Sequence, residues 1–295
     1  MRAVVLGCGY VGLELGRRLA AAGHEVTGVR RSREGAAAVA EAGLDAVRAD
    51  VTDPDSLAAV PDADWLVFSV SAGRGGAAAA REAYVDGLAT VVEGFGARKA
   101  VPDRLVYTSS TGVYGDRDGE WVDEETPTRP GSERARVLLE AERVATERAP
   151  AAGIDATVVR FSGLYGPGRY RLSRYLDGPI TEGVLNAVHR DDAAGAVAHL
   201  LESDRARGET VLVTDDEPVS KWEFADWLAD RCGVDRPPKL TTEAYLQRRG
   251  EDASERVLAS KRCSNTRLRA LGYDLTYPTV REGYRAAVEA YRGEA

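Results

Sequence analysis

The chain has 295 residues, of which 44% are hydrophobic, and a formal net charge of −8 at pH 7. This length is ample for a buried core. The negative charge argues against nucleic acid as the main partner, because binding to a phosphate backbone depends on positive charge. No apolar run approaches the ~20 residues that a membrane span requires, and the first residues read as a strand rather than a charged leader. We therefore expect a cytoplasmic protein without a membrane partner.

The three cysteines are Cys8, Cys232 and Cys263. Their spacing does not match that of metal ligands, and they are too few for a disulfide framework. We interpret them as small buried apolar groups and expect no metal site.

A glycine-rich turn follows the first predicted strand. The apolar run 2–6 leads into the segment 7–12, which reads G-C-G-Y-V-G, and helical stretch 13–22 and strand 24–29 follow. In this G-x-G-x-x-G pattern the first glycine permits the tight turn, and the second lets backbone N–H groups approach a pyrophosphate. The third lets the helix pack on the strand. The segment therefore predicts a dinucleotide site that includes Gly7, Gly9, Tyr10, Val11 and Gly12.

Strand and helix patterns alternate after this unit. Further strands are predicted over 46–48, 65–70, 104–107, 156–160 and 211–213. Helices are predicted over 33–42, 54–59, 77–97, 133–148 and 191–203. The alternation predicts an α/β fold with a doubly wound parallel sheet of the Rossmann type. We assign 1–163 and 186–214 to the dinucleotide-binding domain. Residues 164–185 and 215–295 are assigned to a small substrate-binding lid over the carboxyl ends of the strands, where such folds bind ligands.

The end of the second predicted strand is positively charged, because residues 29–33 read V-R-R-S-R. An acidic residue at this position bonds the ribose 2′-hydroxyl of NAD, whereas Arg30, Arg31 and Ser32 can hold a 2′-phosphate. The alternative is a solvated basic turn, since arginine is common along this chain. The pattern favours NADP(H) over NAD(H).

Several segments together resemble the extended short-chain dehydrogenase/reductase family, which contains the epimerases and dehydratases of nucleotide sugars. They are the glycine turn, A-D-V-T-D at 49–53, T-S-S-T-G-V-Y-G at 108–115, Arg160 with L-Y-G-P-G at 164–168, and H-R-D-D at 189–192. The segment 261–265 resembles the end of the family's substrate lid. Most extended members carry G-x-x-G-x-x-G, so the glycine spacing here points to an atypical branch.

The resemblance implies roles for further residues. Asp50 would contact the adenine, residues 69–72 would line the ribose and nicotinamide side, and Ser110 would occupy the position of the family's substrate-binding serine or threonine. Further cofactor-site candidates on this basis are Val51, Ser69, Val70, Ser71, Thr108 and Ser109. The substrate-site candidates are Ser110, Thr111, Arg160 and Arg169.

The family's catalytic Tyr-x-x-x-Lys pair is absent from this sequence. In that pair the lysine lowers the tyrosine pKa from about 10, so that the phenol can exchange a proton near neutral pH. Here no tyrosine lies between Gly115 and Leu164, and no lysine lies between Ala100 and Ser220. Two registers place these residues at the pair's positions: Ser132 and Arg136 when Glu140 is aligned, or Arg134 and Leu138 when Ala141-Glu142 is aligned.

Other proton donors can be considered. Tyr165 or Tyr170 could supply a phenol from the lid, although tyrosine in L-Y-G-P-G is more typical of packing. His189 titrates near neutrality, but its place at a helix entry favours a structural hydrogen bond, and Asp191 or Asp192 is more typical of a helix cap. Ser110 and Tyr165 remain the candidate catalytic residues. The dehydratase reaction is disfavoured, because Thr111 and Gly112 replace the acidic pair that it requires.

Arginines are predicted to gather at the cleft mouth: Arg160, Arg169, Arg171 and Arg174, with Arg190 nearby. Arginine forks suit phosphate or carboxylate, although an arginine-rich surface would also produce such a cluster by chance. Two functions stay open. One is an oxidoreductase or epimerase that acts on a small anionic or sugar-nucleotide-like substrate with a non-standard proton donor. The other is a catalytically inactive NADP(H)-binding sensor or regulatory module. A homodimer is left open in both.

Overall fold

A seven-stranded parallel sheet forms the centre of the computed structural model, which describes residues 1–73, 75–250 and 254–294. The strands are β1 (Arg2–Leu6), β2 (Glu25–Arg30), β3 (Asp45–Arg48), β4 (Trp65–Phe68), β5 (Arg104–Ser110), β6 (Trp121–Val122), β7 (Asp155–Phe161), β8 (Gly163–Tyr165), β9 (Ile180–Thr181), β10 (Val184–Leu185), β11 (Ala187–His189), β12 (Thr210–Val213), β13 (Val219–Ser220), β14 (Lys239–Leu240) and β15 (Arg262–Cys263). The central sheet has the order β12-β7-β5-β4-β1-β2-β3, and every neighbouring pair is parallel. The predicted doubly wound α/β fold is confirmed.

Helices follow most of the strands. They are α1 (Tyr10–Ala21), α2 (Arg33–Glu41), α3 (Pro54–Leu57), α4 (Ala77–Arg81), α5 (Gly87–Gly96), α6 (Glu133–Arg143), α7 (Ala149–Ala151), α8 (Leu172–Leu176), α9 (Arg190–Glu202), α10 (Lys221–Cys232), α11 (Thr242–Arg249), α12 (Glu255–Leu258), α13 (Thr266–Ala270), α14 (Val280–Gly283) and α15 (Arg285–Glu294). The predicted helix 77–97 contains a wide π turn at Glu82–Asp86, and the predicted helix 133–148 passes into another at Val144–Arg148. None of the helices in the described ranges has the length and apolarity to cross a membrane.

The core lies on both faces of the sheet, because successive side chains of a strand point to opposite sides. Ala3 and Val5 of β1 belong to the cluster that includes α1 and α9. Val4 and Leu6 belong to the opposite cluster with α5 and α6. A third cluster packs α10 against α14 and α15 around Phe224. All three cysteines are free and buried, as predicted.

Short ladders, which the sequence did not predict, bring the C-terminal region back to the sheet. β15 pairs with β6, β14 with β9, β13 with β10, and β11 with β8. The β15–β6 ladder joins segments that lie about 140 residues apart in the sequence, as the pairing of Arg262 with Trp121 shows. We propose that residues 164–185 and 215–295 act as the lid over residues 1–163 and 186–214.

Candidate functional site

One cavity of about 1140 Å³ runs along the carboxyl ends of the central strands. One part is lined by Gly7, Gly9, Tyr10, Val11, Arg30, Arg31, Ser32, Asp50, Val51, Ser69, Val70, Ser71, Thr108 and Ser109. The other part is lined by Ser110, Thr111, Asp116, Tyr165, Arg169, Arg171, Arg174, Lys221 and Lys261, among others. Every residue predicted to bind cofactor, apart from Gly12, therefore faces the same space.

The three glycines of the turn differ in what an added Cβ would meet: backbone at Gly7, a core side chain at Gly12 and the end of a long side chain at Gly9. Gly7 has φ +81°, and a Cβ there would lie 2.5 Å from the backbone of Val70. A Cβ on Gly12 would lie 2.9 Å from Cγ1 of Val5, so this glycine serves helix packing. At Gly9 the nearest atom of the described residues to an added Cβ, apart from its chain neighbours, is Nη1 of Arg30 at 2.6 Å. The turn thus matches the division of roles expected for a pyrophosphate site.

The two arginines at the end of β2 lie in different surroundings. Arg30 donates a hydrogen bond from Nη1 to the carbonyl oxygen of Cys8 at 3.0 Å, so it is tied to the glycine turn. The side chain of Arg31 is 79% exposed, and its Nη1 lies 3.7 Å from Oδ2 of Asp50. Ser32 caps α2 by accepting a hydrogen bond from the N–H of Gly35. Arg31 is therefore the more exposed of the two guanidiniums, and a long ion pair with Asp50 is its contact at this site.

The helix α6 carries the positions of the missing catalytic pair. Its cavity-facing residues are Arg134, Ala135 and Leu138, whereas Arg136 forms an exposed ion pair with Glu133. These orientations agree with the alignment on Ala141-Glu142 and disagree with the placement of Arg136 in the site. Arg134 donates from Nη2 to the hydroxyl of Tyr84 at 2.7 Å. None of these three cavity-facing side chains can release a proton near neutral pH.

Ser132 borders the cavity but has a structural role, because its Oγ caps α6 by accepting from the N–H of Ala135 at 3.3 Å. We expect Ser132→Ala to leave catalytic activity within about threefold, since loss of a general acid typically costs ~10²–10⁴-fold. Loss of the cap should lower the free energy of unfolding by about 1 kcal/mol. Turnover, cofactor affinity and urea unfolding are measured on the same preparation. A hundredfold fall in turnover with folding intact would contradict the structural role.

Arg160 does not lie at the cleft mouth, which corrects the prediction that it binds substrate. It is 7% exposed and donates to both carboxylate oxygens of Glu142, at 3.0 and 2.6 Å. Its Nη1 donates to the hydroxyl of Tyr114 at 2.7 Å, and Ser109 donates to Oε1 of Glu142 at 2.6 Å. Burial raises the pKa of Tyr114 to about 12. These four side chains form a closed buried network, so the Ser109 hydroxyl is also committed to the fold.

The phenols of the lid are packing residues. Tyr165 is 4% exposed, its hydroxyl has no hydrogen-bond partner within the described ranges, and its ring stacks on that of Tyr284 with centroids 5.1 Å apart. Burial raises the pKa of Tyr165 well above its ordinary value. Burial also raises the pKa of Tyr170, which packs at the edge of the Tyr284 ring. Neither phenol is suited to release a proton near neutral pH, which argues against Tyr165 as a catalytic residue.

The start of α9 differs in part from the prediction. His189 caps the helix through Nδ1, which accepts from the N–H of Asp191, and this confirms its structural role. The predicted caps Asp191 and Asp192 follow it in the first turn instead. The carboxylate of Asp192 accepts from the N–H groups of Thr276 and Tyr277, at 2.7 and 2.9 Å. It therefore ties the C-terminal segment to the sheet domain.

Sequence reasoning missed two lysines that line the cavity. Lys221 begins α10 and Lys261 immediately precedes β15. The Tyr-x-x-x-Lys spacing predicts a lysine on α6, whereas the lid ladders bring Lys221 and Lys261 to the cavity from far along the chain. Both lysines line the cavity, as do Arg169, Arg171, Arg174 and Asp116. The cationic side chains in this group outnumber the carboxylate, which suits an anionic ligand.

Comparisons with known proteins agree with this geometry. The model of the NAD dependent epimerase/dehydratase family matches residues 3–213. The chain is 35% identical over 285 residues to Protein YeeZ of Escherichia coli K12, covering 94% of this chain and 96% of YeeZ. It is 30% identical over 273 residues to 2′-dehydrokanamycin reductase of Streptomyces kanamyceticus, covering 84% of this chain and 71% of the reductase. The solved structure of dTDP-glucose 4,6-dehydratase DesIV from Streptomyces venezuelae, with NAD bound, superposes with a TM-score of 0.80 at 25% identity, over 99% of this chain and 97% of that chain. The chain belongs to the NAD dependent epimerase/dehydratase family.

Proposed function

We propose that this chain is an NADP(H)-dependent oxidoreductase that interconverts a carbonyl group and an alcohol on a small anionic substrate. The observation that carries the proposal is one continuous cavity. It is lined by the glycine turn predicted to bind a dinucleotide, and also by Ser110 and several cationic side chains. The relative named 2′-dehydrokanamycin reductase supports reductive chemistry in this family. We further propose a cytoplasmic location.

The residues present fit a dinucleotide. Gly9 lacks the side chain that would fill the space above the turn, and the N-terminus of the twelve-residue helix α1 faces that space. Backbone N–H groups at such a helix start bind phosphate, because they have no partner within the helix and lie at its positive end. When bound, the nicotinamide would supply or accept a hydride. The protein's own part is to orient the substrate at Ser110, to exclude water and to supply a proton.

Cofactor choice can be tested at the end of β2. We expect the protein to bind NADPH at least about tenfold more tightly than NADH, roughly 1.4 kcal/mol, and Arg30→Ala/Arg31→Ala to remove most of that difference. Arg31→Ala alone should weaken NADPH only, because Arg31 is exposed at the cavity and is not bonded to the glycine turn. Arg30→Ala should weaken both cofactors, because Arg30 is bonded to the glycine turn.

Calorimetry measures these affinities at one fixed ionic strength, because salt screens the attraction between an exposed arginine and the 2′-phosphate. Arg33→Ala is the matched control, because Arg33 is exposed on α2 and does not line the cavity. Equal affinities of the unaltered protein for NADPH and NADH would contradict the preference.

A second function is favoured by one observation. The cavity-facing positions of α6 are Arg134 and Leu138, so the family's proton-transfer pair is absent from its usual helix. A chain that binds NADP(H) without turning over a substrate would act as a sensor or regulatory module of the cofactor's redox state. This alternative predicts tight cofactor binding and no turnover.

Nicotinamide absorbance distinguishes the two functions. The panel pairs each carbonyl compound with its phosphorylated or carboxylated form, for example glyceraldehyde with its phosphate ester. We expect steady NADPH oxidation with the anionic member of at least one pair and a higher KM for its neutral counterpart. NADPH binding without turnover across the panel would favour the sensor.

A further inference from the structure

We propose that Lys261 is the proton donor of this site and takes over the task of the family's tyrosine. The inference rests on the proposed reductase function. It assigns a catalytic role to a residue of the C-terminal segment, outside the helix that supplies the proton donor in relatives.

Helix α6 carries no cavity-facing side chain suited to donate the proton. Arg134 cannot give up its proton near neutral pH, and it is already bonded to Tyr84 at 2.7 Å. Leu138 is apolar. The cavity-lining phenols Tyr165 and Tyr284 are buried, and burial raises the pKa of each. Two lysines, Lys221 and Lys261, reach the cavity from other elements.

Lys261 is tied to the ends of two central strands. Ser110 ends β5 and pairs in register with Phe161, which ends β7. The ammonium of Lys261 donates to the carbonyl of Gly115, five residues beyond Ser110, at 3.2 Å.

On the β7 side the link runs through Asn186. Its side-chain amide donates to the carbonyl of Lys261 at 2.9 Å, and its own carbonyl accepts from the N–H of Gly163, two residues beyond Phe161, at 3.0 Å. These hydrogen bonds anchor Lys261 beside the segments that follow β5 and β7. Lys261 and Ser110 line that same cavity.

The surroundings of Lys261 suit proton transfer. The residue is 8% exposed, and its ammonium has three donors but one hydrogen bond to the described part of the chain. Burial lowers the pKa of Lys261, assisted by Arg117 and opposed by Cys263 and Asp116. A lysine whose pKa moves toward neutrality is a better general acid, because its proton is more easily released and regained.

The second lysine is assigned a different task. The ammonium of Lys221 donates to the carbonyl of Val257 at 2.9 Å and approaches that of Glu182 at 3.4 Å. Its cationic neighbours are Arg174 and Lys261. Lys221 therefore belongs with the lid arginines that would hold the anionic group of the substrate.

In the reductive direction the carbonyl carbon accepts the hydride that a bound dihydronicotinamide would supply as it is oxidised to the nicotinamide cation, and the C=O π electron pair moves to oxygen. The oxygen takes a proton from Nζ of Lys261, which leaves an alcohol and a neutral amine. The amine regains its proton from water. In the oxidative direction the neutral amine accepts the hydroxyl proton.

Chemical labelling tests the amine without turnover. The chain has only four lysines, of which Lys99 and Lys239 are exposed. The probe is pyridoxal phosphate, an anionic aldehyde, trapped on lysine by borohydride and located by peptide mass mapping. We expect Lys261 to be modified faster than Lys99 and Lys239 at neutral pH, and NADP to slow its modification. Preferential modification of Lys221, or modification of the exposed lysines alone, would overturn the assignment.

Kinetics separate proton donation from a structural charge. Lys261→Met and Lys261→Arg should each lower kcat at least about hundredfold, with KM and NADPH affinity within about threefold, because arginine keeps the charge but does not release a proton. Lys239→Met, an exposed variant, should match the unaltered protein. Activity retained in Lys261→Arg would overturn the proposal even if Lys261→Met fails to fold. Absence of turnover in the unaltered protein would count against the reductase function instead, and the labelling result would still decide the reactivity of Lys261.

Discussion

Replacing Glu142 with alanine is expected to lower the free energy of unfolding by about 3–5 kcal/mol. Glu142 accepts hydrogen bonds from Ser109 and from Nε and Nη2 of Arg160, and the two charged side chains are each 8% exposed. Removing the carboxylate leaves a buried guanidinium without a counter-charge, and this penalty exceeds the value of the ion pair itself. Urea unfolding measures the change as a lower midpoint at an unchanged slope.

A matched control lies two residues earlier on α6. Glu140 also pairs with an arginine, Arg81, at 2.6 Å, but both side chains of that pair are substantially exposed. Glu140→Ala should leave the unfolding midpoint nearly unchanged, because exposed pairs contribute little. The double variant Glu142→Leu/Arg160→Met should recover much of the loss, since it leaves no unpaired buried charge. A Glu142→Ala variant as stable as Glu140→Ala would contradict the view that the fold depends on this buried network.

The fold could be predicted from local patterns because the doubly wound sheet is built from consecutive units. The glycine turn between β1 and α1, and the apolar runs that became strands, are short-range signals that tertiary packing then reinforced. The strand ends were less predictable: β5 extends to Ser110, beyond the apolar run 104–107, because its polar end pairs with β7. Hydrogen bonding to a neighbouring strand decides such a boundary.

The cofactor half of the cavity could be predicted for the same reason, since its residues sit at successive strand ends. The substrate half could be predicted only in part, because Ser110, Thr111 and Arg169 line the cavity but the two lysines were missed. Lys261 reaches the site through the β15–β6 ladder and its bond to Gly115, 146 residues away in the sequence. No local pattern reports such a contact. Arg160 shows the opposite error: a charge near the end of an apolar strand suggested a ligand contact, whereas Glu142 on a packed helix neutralises it.

The second large effect concerns the turn itself: Gly9→Val should weaken NADPH binding at least about hundredfold, or about 2.7 kcal/mol. The pyrophosphate requires close backbone approach at the second glycine of the motif, and valine would place three carbon atoms in that space. The protein should stay folded, because the nearest atom of the described residues to the added Cβ, chain neighbours apart, is the end of the long Arg30 side chain. Calorimetry measures the affinity, and circular dichroism checks the fold.

Two further variants distinguish loss of the pyrophosphate-binding space at Gly9 from displacement of the Arg30 side chain. Gly9→Val/Arg30→Ala removes the clash with the guanidinium but keeps valine in the turn, so we expect binding to stay lost. Gly94→Val adds the same side chain on α5, where the nearest atom to the new Cβ is Cδ1 of Leu57 at 4.0 Å, and it should bind NADPH normally. If the double variant bound NADPH as tightly as Arg30→Ala alone, the glycine would matter only because it leaves room for Arg30. If Gly9→Val bound NADPH as the unaltered protein does, the dinucleotide would have to lie elsewhere in the cavity. A valine at position 9 would occupy the space of a pyrophosphate held by the N-terminus of α1.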